Sequence, residues 1–218
     1  MKPLRAVLVA VALAVTAQGA PDAATLLRGT ADDGPWEALV TALASQGAIR
    51  SSFTERRYFS IRTAPTVLKG TLRISPERGL SLQYLEPDPL VLIVDPAGLI
   101  LREHGRSDRK MAAGSREAGA IASLLPVMRF DVKELASSFF VRASGDLLGW
   151  TFEFTPKDPA VARTLGTIVV QGRATEVKHI VFRRSQSQRI EIDVGETTLG
   201  ASFSQEEIRQ FFRGPETR

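Results

Sequence analysis

The sequence contains no cysteine and only two histidines, His104 and His179. Without cysteine there is no disulfide, thiolate metal ligand, cysteine nucleophile or lipid anchor on an N-terminal cysteine. Two histidines far apart in sequence argue against a histidine-rich metal site or a histidine-dependent triad, and no metal is expected. Phosphate-binding glycine loops are missing, as are G-x-S-x-G and a suitably placed S-x-x-K. Acidic residues are scattered, mostly in loops or opposite an apolar face, and no pair stands out for acid–base work. No enzyme activity and no cofactor are expected. The longest apolar run, Ala6 to Ala17, is 12 residues, too short for the roughly 20 needed to span a bilayer.

That run follows Lys2 and Arg5, and Ala17 and Gly19 fit the −3 and −1 positions of a cleavage site. Residues 1–19 read as a signal peptide cut after Gly19, and 20–218 as one exported domain. The full chain of 218 residues carries a formal charge of +4. Loss of Lys2 and Arg5 lowers it to +2, and the tight arginine pairs are Arg56-Arg57 and Arg183-Arg184. That is not the basic stripe of a nucleic-acid binder, so no nucleic acid is expected. The expected location is a bacterial periplasm, whose oxidising chemistry does not touch a cysteine-free chain. Hydrophobic residues make up 44% and charged residues 24%, an ordinary globular balance.

Residues 20–33 are small and polar. Pro35 then starts a helix over 36–47, with Trp36, Leu39, Val40, Leu43 and Ala44 on one stripe and Gly47 as the residue just past its end. After it the period changes from helical to two. Phe53, Glu55, Arg57 and Phe59 share one face of a strand over 51–61, and Val67 to Ile74 brings Leu72 and Ile74. Leu80, Leu82 and Tyr84 alternate in the next strand. Leu90 to Val94, with Leu92, and Leu99 to Arg102 flank a tight Asp95-Pro96-Ala97-Gly98 loop. The meander breaks over 104–137. There 118–128, with Ile121, Leu124 and Leu125, has helical spacing that stops near Pro126, and Asp131 caps a short helix through Ser137 with Glu134 at its third position. Strands resume at 139–141 and in the alternation of Trp150, Phe152 and Phe154. Thr155 to Pro159 interrupts, and 168–170, 177–183, 188–194 and 199–203 follow, with a helical turn in 205–212.

About eleven strands with two or three helices predict a mainly β fold. An antiparallel sheet that long must curl into a barrel or half-barrel, or split. The concave face then needs filling, and 36–47 and 117–137 are the segments available. Alternation alone cannot separate a packed core from a cavity wall.

Several segments carry a resemblance. Ser52-Phe53-Thr54-Glu55 resembles the S-F-T-Q stretch of the periplasmic lipoprotein carrier family, LolA. Gly70-Thr71-Leu72-Arg73-Ile74-Ser75-Pro76 is similar to its G-x-L-W-[aliphatic]-x-R-P strand and turn, and Tyr84 with Glu86-Pro87 to its aromatic strand ending in x-P. Leu92-Ile93-Val94-Asp95 with Gly98-Leu99-Ile100-Leu101 is similar to its I-V-x-D-G-x-x-L hairpin, and Phe152 to Lys157 to F-x-L-T-P-K. The match runs over roughly 36–203. It implies an unclosed half-barrel of about eleven strands, lidded by helices on its concave side. It also implies a monomeric carrier that takes lipoprotein acyl chains from an inner-membrane ABC transporter or exporter to an outer-membrane acceptor.

On this resemblance the expected cavity lining is Phe53, Leu72, Ile74, Leu80, Leu82 and Tyr84, together with Leu92, Val94, Trp150, Phe152 and Phe154. The lid is Trp36, Leu39, Leu43, Ile121, Leu124 and Leu125. The family arginine before the turn proline is replaced by Ser75, and its role is assigned to no residue, Arg73 and Arg57 being the two considered as substitutes. Such departures resemble a divergent branch, similar to carrier-like proteins of aryl-polyene or other lipid pathways, whose cargo is a pathway lipid. The alternative is a periplasmic sensor or interaction module of the same fold, binding a lipidated or protein partner. Those regulators usually carry a second domain, and this chain ends soon after its last strand.

Overall fold

Twelve strands form one antiparallel sheet in the computed structural model, which describes residues 24–112 and 124–214. The expected signal peptide, and Ile121 with the rest of 113–123, lie outside the described residues. The strands are β1 (Thr25–Leu27), β2 (Ile49–Tyr58), β3 (Thr66–Ser75), β4 (Gly79–Glu86), β5 (Leu90–Asp95), β6 (Gly98–Arg102), β7 (Arg109–Ala112), β8 (Phe139–Asp146), β9 (Gly149–Pro156), β10 (Thr167–Arg173), β11 (Glu176–Arg183) and β12 (Arg189–Leu199). The helices are α1 (Pro35–Ala44), α2 (Leu124–Arg129), α3 (Val132–Ser138), α4 (Pro159–Leu165) and α5 (Gln205–Phe211), with a 3-10 turn at Ala31–Asp33.

Two meanders, β2 to β7 and β8 to β12, join through the long β2–β12 pair, and β1 adds to β8. The sheet is not closed: β1 and β7 are its edges. Both are very short, which limits pairing with other chains. Laid flat, twelve strands would span roughly 50 Å at the usual inter-strand spacing. Yet side chains from both ends, Leu27 on β1 and Leu99 on β6, join one buried cluster with Phe53, Phe152 and Ile180. The sheet therefore curls around its apolar face as an open half-barrel.

The helices fill part of that curl. Pro35 occupies the first turn of α1, where its missing N–H costs nothing, and Trp36, Leu39 and Leu43 are buried on one stripe. Each contributes about 1.5–3 kcal/mol by leaving water. The helix stops at Ala44, earlier than expected: the Ser45 N–H donates to the Thr41 carbonyl, and Gly47 turns the chain two residues later with φ +70°. Nor does α2 stop at Pro126. It runs to Arg129, where Phe130 takes a left-handed φ of 52°. The Phe130 N–H donates to Val127 O and the Asp131 N–H to Pro126 O, both at 3.2 Å. This is the closing pattern that usually places glycine where Phe130 stands. A phenylalanine is strained there, and burial of its ring offsets the cost. Asp131 then caps α3, accepting from the Glu134 N–H at 2.9 Å.

Other differences from expectation are local. The segment 188–194 and 199–203 is one strand, β12, up to Leu199, bulged between Val194 and Thr197. Residues 159–165 are helical because Asp158 accepts from the Ala160 and Val161 N–H groups and Pro159 sits at a first-turn position. On the convex side, α5 covers a row running from Arg73 through Ser81 and Ile93 to Ile100. The Arg73 guanidinium stacks 3.7 Å from the Phe211 ring. Desolvation, then the neighbouring Arg50 charge, lowers its pKa to about 10. Arg102 Nη1 ties the end of α5 to β6 through the Arg209 and Gln210 carbonyls, at 2.9 and 2.6 Å.

Candidate functional site

The concave face has a filled half and a hollow half. Over β8 to β10, the Trp36 ring meets Phe152 edge-on at 5.7 Å, and Phe130 meets Trp150 at 6.1 Å and Phe152 at 6.0 Å. Trp150, Phe152 and Phe154 are at most 1% exposed. They lie on the expected face but under α1 and Phe130, and line none of the described cavities. Val94 is likewise covered, at 1% exposed. Leu39 and Leu125 are buried in the same cluster, and Leu124 is described as the first residue of α2.

Among the described residues, the rings of Trp36 and Phe130 stack on Trp150 and Phe152 and on no aromatic of β2 to β5 or β11 to β12. A cavity of about 500 Å³ remains, walled by Phe53, Leu72, Leu80, Leu82, Tyr84 and Leu92 on one side. Ile180, Phe182, Ile190 and Ile192 face them, with Met128 of α2 and Leu165 of α4 at the ends. Leu72, Met128 and Ile180 also bound a smaller hollow of about 50 Å³, which Leu43, Ile74 and Phe130 help close. A third, more polar hollow of about 670 Å³ lies between α1 and the α2–α3 turn. Phe59, Thr164, Arg184 and Gln188, all exposed, form the open mouth of the 500 Å³ cavity.

One polar group sits inside this apolar wall. Glu55 is 2% exposed, because the alternation that buries Phe53 also turns residue 55 inward. Its carboxylate accepts from the Tyr84 hydroxyl at 2.8 Å and from Arg57 Nε. Arg57 Nη2 also donates to the Tyr84 oxygen at 3.3 Å. Desolvation, then the Glu55 charge, pushes the Tyr84 phenol above its ordinary value near 10. Burial works against the Arg57 cation, but Glu55 and the Tyr84 oxygen outweigh it and raise its pKa. Thus Tyr84 stays a neutral donor and Arg57 a cation. Glu55 and Arg57 were placed on the face of Phe53 by the sequence, but nothing marked them as a pair facing a hollow. The signal was their spacing of two, with Phe53 and Phe59 on either side. Of the two arginines considered as substitutes for the missing family arginine, Arg57 faces the cavity and Arg73 lies on the convex side.

Among the described residues, no three His, Asp or Glu side chains gather as a metal site. His179 donates or accepts at 2.8 Å with Asp193, on the convex face of β11 and β12. The arrangement offers an apolar compartment with a charged rim.

A family model, the outer membrane lipoprotein carrier protein LolA-like family, matches residues 30–205. The chain belongs to this LolA-like family. Among solved structures, a LolA superfamily protein from Nitrosomonas europaea is similar at 10% identity, TM-score 0.44, over 79% of this chain and 96% of that one. An outer membrane lipoprotein-sorting protein domain from Vibrio parahaemolyticus is similar at 11% identity, TM-score 0.35, over 80% and 94%. The Pseudomonas aeruginosa MucA/MucB complex is similar at 15% identity, TM-score 0.40, over 79% of this chain and 59% of that one. No curated protein matches the sequence. LolA-like proteins form a binding and carrier family, not an enzyme family, and act outside the cytoplasm. No helix among the described residues of this LolA-like chain is long and apolar enough to cross a membrane.

Proposed function

We propose that this LolA-like protein is a periplasmic carrier that shelters acyl chains of a lipoprotein or related lipid in the 500 Å³ cavity. The observation that carries this reading is the unfilled half of the concave face. A sheet that packs three aromatic rings tightly under α1 leaves a roomy apolar hollow a few strands away. Exposing a chain to water costs about 0.8 kcal/mol per methylene, so transit between membranes needs such a compartment. Phe53, Leu72, Leu80, Leu82, Tyr84 and Leu92 contact the chain, and Ile74 borders the smaller hollow behind it. Trp150, Phe152 and Phe154 hold the sheet's curvature from the filled half, and the buried Val94 does so from β5. Trp36, Leu39, Leu43 and Leu125 form the cover. Residues 1–19 direct export, an inner-membrane ABC transporter or exporter donates the cargo, and an outer-membrane acceptor removes it.

Two measurements on the purified protein test this. Mass spectrometry of solvent extracts from protein isolated from its native periplasm should find acyl lipid in stoichiometric amount. The delipidated protein should bind N-phenyl-1-naphthylamine with saturable fluorescence enhancement, displaced by the extracted lipid. Absence of both the lipid and probe binding would overturn the carrier reading.

A further inference from the structure

The cavity wall is apolar, but its charges do not cancel. Glu55 is the one acidic residue of the wall, against Arg57, Arg184 and Arg189. Arg189 is matched outside the wall: its Nε donates to Glu191 at 2.6 Å and its guanidinium stacks 3.7 Å from the Tyr58 ring. Glu55 neutralises Arg57. Arg184 pairs with no carboxylate among the described residues; its Nη2 reaches only the Arg163 carbonyl, at 3.2 Å. One guanidinium is therefore in excess at the mouth of an apolar cavity. Arg57 is not fully used either. Its side chain is 37% exposed, and its Nη1 makes no hydrogen bond among the described residues, since Nε and Nη2 carry the contacts to Glu55 and Tyr84.

The volume sets the other end of the ligand. A hollow of about 500 Å³ has room for an acyl chain, whose methylenes each fill about the 30 Å³ share of a water.

We infer that the cavity binds an acyl-chain amphiphile with an oxyanion head, a carboxylate or a phosphate. The chain lies between Leu82 and Ile190, and the head sits at the mouth between Arg57 and Arg184. This rests on the carrier reading and narrows its cargo class. Guanidinium groups suit such heads because they donate in pairs to two oxygens. The mouth is wet, so the expected gain is modest.

The test is displacement of N-phenyl-1-naphthylamine from the delipidated full-length mature protein. The competitors are dodecanoate, dodecyl phosphate, neutral monolaurin and inorganic phosphate, in low salt and below micelle-forming concentrations. Dodecanoate and dodecyl phosphate should displace the probe at about three- to tenfold lower concentration than monolaurin, and inorganic phosphate should not displace it. In Arg184→Gln the anionic-to-neutral ratio should fall towards one. A purely structural role of Arg184 at the end of α4 would leave that ratio unchanged. Arg57→Gln strands the Glu55 carboxylate, so the exposed Arg184 carries the test. Equal displacement by monolaurin and dodecanoate, or an unchanged ratio in Arg184→Gln, overturns the inference while leaving the carrier reading standing. A protein that binds no probe at all overturns the inference, and the carrier reading with it where no acyl lipid co-purifies either.

Discussion

Glu55 is the residue whose environment can least tolerate a change of partner. A carboxylate 2% exposed inside an aliphatic wall is held by one guanidinium and one phenol; removing the guanidinium leaves a charge without a mate, and removing the phenol leaves it one donor short. Breaking a fully buried ion pair costs about 3–5 kcal/mol, and the half-exposed Arg57 lowers that. Arg57→Met should therefore destabilise the fold by about 2 kcal/mol in urea unfolding. The double variant Glu55→Gln with Arg57→Met should recover most of the loss, because no buried charge remains. Additive losses in the double variant would show that the pair is not coupled. Tyr84 gives a pH test. Its folded pKa lies above its unfolded value near 10, so the fold favours the neutral phenol. That contribution is complete below pH 10 and is lost as the pH rises beyond it. The destabilisation caused by Tyr84→Phe should be about 1 kcal/mol at pH 8. At pH 11, where the unfolded chain ionises first at a cost to the parent of about 1.4 kcal/mol, the difference should vanish or reverse slightly. An equal difference at both pH values would mean that Tyr84 is not held neutral.

Among elements, β10 shows how little room the filled half keeps. A Cβ placed on Gly172 would lie 2.1 Å from the Trp150 ring and 2.3 Å from the Glu176 carbonyl oxygen. Trp150 is itself pinned, its Nε1 donating to Ala174 O at 2.7 Å. Gly172→Ala should cost about 2 kcal/mol or more and shift the emission of Trp150, read against a Trp36→Phe background. An unchanged midpoint would mean that the ring is free to move aside. The same contrast explains what was legible in the sequence. Long alternations such as Leu80, Leu82 and Tyr84 announce strands because one face is buried and the other wet. β1 and β7 were invisible, since three or four residues with one buried or half-buried side chain carry no period. α4 did leave a cue, an Asp158 cap followed by Pro159, which a proline-rich stretch disguised as a loop. Which half of the sheet is hollow was not legible. Leu80-Leu82-Tyr84 and Trp150-Phe152-Phe154 have the same pattern, and they differ only in whether Trp36 and Phe130 arrive from elsewhere in the chain.

The whole molecule thus separates two tasks within one sheet. The half over β8 to β10 supplies stability through packed rings. The half over β2 to β5 and β11 to β12 gives up that packing and keeps space. A large side chain added to a tight core forces shifts costing about 1–3 kcal/mol, whereas one added to a hollow meets empty volume and gains contacts. Leu82 projects into the hollow and is only half-buried. Leu82→Trp should leave the urea midpoint within about 1 kcal/mol of the parent, yet weaken N-phenyl-1-naphthylamine binding at least tenfold by occupying the chain's place. Phe152→Ala, in the filled half, should do the reverse, losing about 3–5 kcal/mol at conditions where the surviving folded protein still binds probe. If Leu82→Trp instead unfolds the protein as readily as Phe152→Ala, the hollow is part of the core that stabilises the fold. In that case the division of the sheet into a structural half and a carrying half fails.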